Sequence, residues 1–332
     1  IAFNPLLFTI SGVLTSVQQT MGRFFFYAIA PLFYNICIIA SIFIFRDNIG
    51  LVGLGIGAVF GAVAQLVIVI FGLYKLNFHW RPYIRRRDKE FNTVLSNLPP
   101  RALDQGIDQV QGVVETHIAS GLGSGNITFF NNAFILATAP TLLIGSAISS
   151  AAFPRLNARL SAGRPDLFRR DFLKVLRALI WVSAPVVVIS YFARGYLARL
   201  IYTNGNLKIA NIFGFLCLAI FFRIIYTFIS RWFYSQKDTR TPLFVSLFAI
   251  SLNVFLAYTL AKPSAYGVEG LALAQSVVAV VEVAILSLVM VIRDPKLITR
   301  DFWSGVWRII SATGFSVVAC FIMISLYPLT LG

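Results

Sequence analysis

Gly50-Leu-Val-Gly-Leu-Gly-Ile-Gly-Ala-Val-Phe60-Gly-Ala-Val-Ala-Gln-Leu-Val-Ile-Val-Ile70-Phe-Gly-Leu-Tyr-Lys75 carries no formal charge from Gly50 to Tyr74, then meets one at Lys75. Crossing about 30 Å of hydrocarbon takes roughly 20 residues of helix, and this run is long enough. Behind it come Arg81, Arg85, Arg86, Arg87 and Lys89. A spanning apolar run that ends in a block of cations marks a membrane helix leaving the bilayer on its basic side.

The pattern repeats outward from there. Ten apolar runs are read, near 5–22, 28–45, 50–75, 98–120, 126–153, 172–193, 207–234, 242–261, 268–292 and 304–327. Gly and Pro inside them are tolerated where neighbouring helices re-satisfy the backbone. With 58% hydrophobic residues and a net charge of +15, so many adjacent runs cannot share one soluble core. The expected fold is an all-α, polytopic helical membrane bundle.

Cations then give an orientation. Arg23, the block from Lys75 to Lys89, the block from Arg155 to Arg177, Arg231, Lys237, Arg240, and Arg293 to Arg308 fall in alternate connections. Arg46, Arg194, Arg199, Lys208 and Lys262 occupy the others. The richer side is expected to be cytoplasmic, which puts both ends of the chain outside. A basic face of this kind meets anionic membrane lipids. It lacks interleaved stacking aromatics, so no nucleic-acid site is read from it. Cys37, Cys217 and Cys320 lie within apolar runs as small packing residues, with no metal or disulfide implied. The chain opens at Ile1 without Met or a charged leader, so further chain is expected upstream.

An internal repeat is visible. Gly50-Leu-Val-Gly53-Leu-Gly-Ile-Gly-Ala58 returns as Gly267-Val-Glu-Gly270-Leu-Ala-Leu-Ala-Gln275, and Pro31-Leu-Phe-Tyr-Asn35 has a counterpart in Ala249-Ile-Ser-Leu-Asn253. Residues 5–75 and 207–292 thus read as two copies of a three-span unit, as in transporters whose related halves rock about a central site. If the halves are equal six-helix lobes, three helices are expected before Ile1. The chain then divides into 1–90, the remainder of a first lobe; 91–293, a second lobe; and 294–332, an additional helix.

Chemistry concentrates in the run 98–120. Asp104, Asp108, Gln111 and Glu115 share one narrow helical face, widened by Gln105, Gln109 and His117. Carboxylates at membrane depth face a water-filled cavity or a partner. The stripe reads as the wall of a transport pathway, or as a hydrogen-bonded seam. Ser11, Thr15, Gln18 and Gly22 share a face of the first run, and Asn126, Asn131 and Asn132 cluster in the fifth. Asn35 and Asn253 are lone amides, and Glu282 lies mid-run. Arg223 sits deep within Phe221-Phe-Arg-Ile-Ile225, either snorkelling outward or holding a phosphate with its planar fork. Pro31, Pro140 and Pro185 are hinges or static kinks. Near Arg231-Trp-Phe-Tyr-Ser-Gln-Lys-Asp-Thr-Arg-Thr-Pro242, Thr241 is expected as N-cap, Pro242 as the first helical residue, and Asp238 as a partner of Arg231 or Arg240. Ser120-Gly-Leu-Gly-Ser-Gly125 lacks the Lys-Ser/Thr of a P-loop, so no nucleotide is expected.

The segment Arg231 to Pro242 resembles the lipid II flippase (MurJ/MviN) family. So do Gly145-Ser-Ala-Ile-Ser-Ser-Ala-Ala-Phe-Pro-Arg-Leu156, Val114-Glu-Thr-His-Ile-Ala-Ser120, and Gln19 to Pro31 followed by Asn35. The resemblance covers nearly the whole chain. It implies an exporter-type fold of two pseudo-repeated six-helix lobes, with this chain running from the fourth to the thirteenth family helix. It implies an undecaprenyl-linked lipid substrate flipped across a bacterial cytoplasmic membrane, with no enzyme chemistry and no cofactor. Coupling to Na+, H+ or membrane potential and contact with cell-wall synthesis proteins are part of that expectation. Substrate-cavity candidates are Arg23, Asp104, Asp108, Gln111, Asn131, Asn132, Arg223 and Arg231; cation-binding candidates are Glu115 and Asn253. The chain departs from the family at three positions: Ile135 in Asn132-Ala-Phe-Ile-Leu136 stands where a cavity Arg is expected, Glu115 where an Asp is expected, and Ala257 where a second Asp occurs. A polysaccharide-unit or multidrug exporter, a non-transporting scaffold of cell-wall synthesis and a membrane glycosyltransferase are the rival readings.

Overall fold

The computed structural model describes residues 2–45, 49–74, 89–123, 125–202, 206–262 and 264–326. Among them the regular elements are all helical, and they fall into two compact units, Ile1–Ile84 and Arg85–Gly332. The basic stretch from Lys75 to Asp88 lies outside the described residues.

The first unit holds α1 (Asn4–Thr20), α2 (Phe25–Phe45) and α3 (Leu51–Gly72). Small residues set its packing. A side chain on Gly53, Gly57 or Gly61, one turn apart on α3, would collide with Phe45, Ser41 or Tyr34 of α2, so backbones approach as small-xxx-small spacing allows. On α1, Ser11 and Gln18 are buried, and Gln18 Nε2 donates to the Val69 carbonyl of α3 at 2.5 Å. Part of the expected polar face of the first run is therefore a seam within this unit.

The second unit contains α4 (Lys89–Gly121), α5 (Asn126–Pro140), α6 (Ala147–Ser161), α7 (Pro165–Phe192), α8 (Arg194–Ile201), α9 (Asn206–Ser235), α10 (Arg240–Leu260), α11 (Val268–Arg293) and α12 (Arg300–Leu326). A π-helical turn, Thr141–Ser146, joins α5 to α6. It begins directly after Pro140, whose missing N–H leaves a gap in the α-helical ladder. At Pro31 and Pro185 the helix continues as α. The hub is α9, where Ile209, Phe213, Leu216, Ile220, Ile224, Phe228 and Phe233 are buried. Phe172 of α7 stacks on Phe228 with centroids 4.8 Å apart.

The repeat is built into the backbone. Gly50 and Gly267, immediately before α3 and α11, have φ/ψ of 58°/−130° and 57°/−132°, a region open to glycine. Each N–H donates to a carbonyl five residues back, Phe45 and Lys262, at 3.1 Å in both copies. The first helix of each copy also ends alike. Arg23 N–H reaches the Gln18 carbonyl and Gly22 N–H that of Gln19, while Asp238 N–H reaches Phe233 and Lys237 N–H reaches Tyr234. Both are Schellman caps, with Gly22 at φ 71° and Lys237 at φ 61° in the left-handed position.

Several expected boundaries shift. Eight helices among the described residues are long and apolar enough to cross a membrane, against ten expected. The other two runs are helical as well, but α1 has only 17 residues, and α4 is long yet diluted by its polar stripe. α4 begins at Lys89 and α7 at Pro165, both earlier than their apolar runs suggest. α10 starts at Arg240, ahead of the expected Thr241 N-cap. The reason is Asp238, whose Oδ1 accepts the N–H groups of Arg240 and Thr241 at 3.0 and 3.1 Å. Its ion-pair partner among the structure's bridges is Arg293 of α11.

Large apolar side chains face outward on most helices: Phe43 is 79%, Leu143 74% and Phe315 78% exposed. In water such a surface would aggregate, whereas hydrocarbon accepts it. The chain is a multi-span helical membrane protein.

Candidate functional site

Three adjoining cavities open within the second unit. One, of about 240 Å³, is walled by Gln111, Arg223, Tyr226, Arg231, Ser246, Asn253, Gln275 and Glu282. A second, of about 570 Å³, is lined by Gln109, Gln111, Glu115, Asn131, Phe134, Arg223 and Gln275. A smaller one, of about 160 Å³, lies behind Thr138, Thr141 and Phe134 and again reaches Arg223 and Gln275. Arg223 and Gln275 therefore stand in the wall common to all three.

Helical periodicity explains the convergence. Ser246 and Asn253 lie two turns apart on α10, as do Gln275 and Glu282 on α11, so each pair presents one face. Arg223 and Ser230 repeat that spacing on α9, and with Tyr226 and Arg231 they line the first cavity. Thr141, on the π-helical turn, reaches two of the cavities.

Glu115 is the buried acid of the site, at 4% exposure. Its two oxygens accept amide hydrogens from Gln111 at 2.8 Å and from Gln275 at 2.7 Å. Together the two hydrogen bonds hold the carboxyl group in one place. Arg223 is near enough for its charge to act on Glu115, and it stacks over the Phe134 ring at 5.9 Å. Arg223 lines all three cavities. At the other end, Ser246 Oγ bridges the Tyr226 hydroxyl at 2.9 Å and Glu282 Oε1 at 3.3 Å. Arg231 lies over Phe153 at 5.1 Å.

Both side-chain polar atoms of Asn253, and Oε1 of Gln275, are buried without a hydrogen-bond partner. Gln275 Oε1, on the amide that also donates to Glu115, and Asn253 Oδ1 in the adjoining cavity are oxygens of the kind that hard cations take as ligands. Asn253 lines the first cavity and Glu115 the second, with Gln275 between them.

Of the expected site residues, Gln111, Glu115, Asn131, Arg223, Arg231 and Asn253 meet at these cavities. Asn132 has its carbonyl turned to the Tyr202 hydroxyl at 3.4 Å. Arg23 belongs to the first unit, where its guanidinium reaches the Tyr74 carbonyl at 3.5 Å. Asp104 and Asp108 lie on α4, with side chains outside the described residues. Gln275, Tyr226 and Ser246 were not singled out from the sequence. Gln275 carried a signal, being an amide within an apolar run and seven residues before Glu282.

The family model for lipid II flippase MurJ matches residues 2–331. A probable lipid II flippase MurJ of Borreliella burgdorferi is 23% identical over 298 residues, covering 88% of this chain and 58% of that protein. Another bearing that name, from Buchnera aphidicola, is 24% identical over 327 residues, covering 96% of this chain and 64% of its own length. The chain thus spans less than two thirds of these curated relatives. Among solved structures, lipid II flippase MurJ in an inward closed conformation aligns over 97% of this chain and 66% of its own, with TM-score 0.68 and 21% identity. MATE in the bent conformation aligns over 94% and 68%, with TM-score 0.73 and 14% identity. These two likenesses establish an exporter-type fold.

Proposed function

Because the chain belongs to the lipid II flippase MurJ family, we propose that the whole protein moves lipid II across the bacterial cytoplasmic membrane by alternating access. The cargo is an undecaprenyl lipid joined to its sugar headgroup through pyrophosphate. The observation that carries this reading is Arg223, a guanidinium in the wall common to three cavities. A planar, permanently charged fork in a polar cavity suits a pyrophosphate better than it suits a cationic drug. Arg231, two turns along the same face, adds a second cation. Together they supply the charge that Ile135 does not. Glu115, Gln275 and Asn253 are the coupling site for Na+ or H+, and membrane potential adds a driving force for charged species.

In this reading residues 1–90 complete a first lobe, 91–293 form the second, and 294–332 begin an appended element. The basic ends face the cytoplasm, and both visible ends lie outside. The protein acts as a transporter, with no bond made or broken. Cell-wall synthesis proteins are its expected neighbours. The test is binding of labelled lipid II to the full-length protein in nanodiscs. Arg223→Ala is expected to weaken binding about tenfold or more, near 1.4 kcal/mol, and Arg223→Lys less. Undiminished binding in Arg223→Ala and in the double variant with Arg231→Ala would reject the assignment of these side chains to the headgroup.

A further inference from the structure

α7 ends at Phe192, α9 begins at Asn206, and α10 turns into α11 between Leu260 and Val268. These places share one end of the second unit, opposite the turn at Arg231–Pro242. A cavity of about 450 Å³ opens there, lined by Tyr191, Arg194, Asn211, Phe215, Tyr266 and Glu269. Small-molecule sites occupy about 300–1,000 Å³, so the volume suits a ligand. None of its lining residues is shared with the three central cavities.

The walls are held by close packing. A Cβ on Gly214 of α9 would stand 3.0 Å from Arg194 Cδ, so the glycine leaves room for the arginine stem. Arg194 Nη1 donates to the Tyr191 carbonyl at 2.9 Å, and its guanidinium lies over the Tyr191 ring at 4.6 Å. On the α10–α11 connection, Tyr266 N–H donates to the Leu260 carbonyl at 3.2 Å and Ala265 N–H to that of Lys262 at 2.9 Å. The Tyr266 ring meets Phe215 edge to face, with centroids 6.4 Å apart. Both tyrosines keep about half their surface open, 45% for Tyr191 and 52% for Tyr266.

The polar groups on these walls are unspent. Among the described residues, the side chains of Asn211 and Glu269 and the hydroxyls of Tyr191 and Tyr266 have no hydrogen-bond or ion-pair partner. Glu269 also lines an adjoining cavity of about 200 Å³, which holds Lys208. One acid thus stands between two compartments.

We propose that this cavity is a saccharide site that takes a pyranose ring, with a linked ring in the smaller compartment. Sugar hydroxyls donate and accept at once. A carboxylate takes their hydrogens, a guanidinium gives to their oxygens, and an amide or phenol does either. The polarised C–H face of a pyranose packs on the electron-rich face of an aromatic ring. An acyl chain would leave the acid and the guanidinium unmatched, and a simple anion would meet Glu269. In the orientation proposed above the cavity opens outside the membrane, where a ring comes from delivered lipid II or from soluble wall glycan.

The experiment is hydroxyl-radical footprinting of the full-length protein in nanodiscs, with oxidation of Tyr191 and Tyr266 read by mass spectrometry. The probes are lipid II and the soluble disaccharide N-acetylglucosaminyl-N-acetylmuramic acid. Protection by the disaccharide supports the site with free glycan as a source; protection by lipid II alone supports it with cargo as the source. Arg194→Gln/Glu269→Gln is expected to need about tenfold more of the protecting ligand, as loss of charged hydrogen-bond partners warrants. Arg223→Ala is expected to leave disaccharide protection unchanged, which separates this site from the central cavities. Protection lost in Arg223→Ala and kept in the double variant would overturn the proposal. Phenylalanine, a zwitterion with a ring, is expected to give no protection, and protection by it without protection by either saccharide would overturn the ligand class. No protection by any probe would overturn the site.

Discussion

Asp238 concentrates several functions in one side chain. It caps α10 through two backbone N–H groups, accepts the Thr241 hydroxyl at 2.6 Å and pairs with Arg293. Burial pushes its carboxyl up, but the hydrogen bonds from Thr241 and Arg293 and the Arg293 charge outweigh that and hold it below the ordinary carboxylate range. A depressed folded-state value stabilises the fold above the unfolded carboxylate pKa of about 4, and that stability is lost as pH falls through the lower folded value. Asp238→Asn is accordingly expected to lower the thermal midpoint at pH 7 and to flatten its decline on acidification. An unchanged acid limb would contradict this, read from melts in detergent between neutral and acid pH. The sequence showed that Asp238 needed a basic partner, and only neighbours in the chain were visible. Arg293 is 55 residues away. Gln275 and Glu115, 160 residues apart, were hidden for the same reason: hydrogen bonds between helices leave no periodic trace.

Elements were more legible than their contacts. Apolar runs of spanning length become helices because lipid leaves the backbone no other partner, so even the polar run 98–120 is helical. The matched glycines before α3 and α11 were readable as a repeat because both cap geometries require the same residue. The π-helical turn was not readable beyond a proline, since Pro31 and Pro185 sit in helices that stay α. Pro140 opens the chain at the turn that brings Thr141 to the cavities. Pro140→Ala restores the missing donor and is expected to stabilise the helix by about 1–3 kcal/mol. Amide exchange across residues 141–146 should slow, and transport should fall if the widened turn serves the cycle. Faster exchange in the variant would show that the π geometry does not originate at the proline.

At the scale of the molecule, apolar surface faces out while a carboxylate, two arginines and unsatisfied amides face in. A soluble protein of this size arranges these the other way. The alternation of basic connections, readable along the chain, gives class and an orientation; nothing in it speaks of cargo. The headgroup claim rests on Arg223 within a family whose expected cavity Arg is Ile135 here. The decisive measurement is translocation of fluorescent lipid II by the full-length protein in proteoliposomes, with and without a cation gradient or membrane potential. Wild type is expected to transfer the lipid, Arg223→Ala to lose at least about tenfold in rate, and Glu115→Gln to lose the response to the gradient. Undiminished transfer by Arg223→Ala would contradict the account.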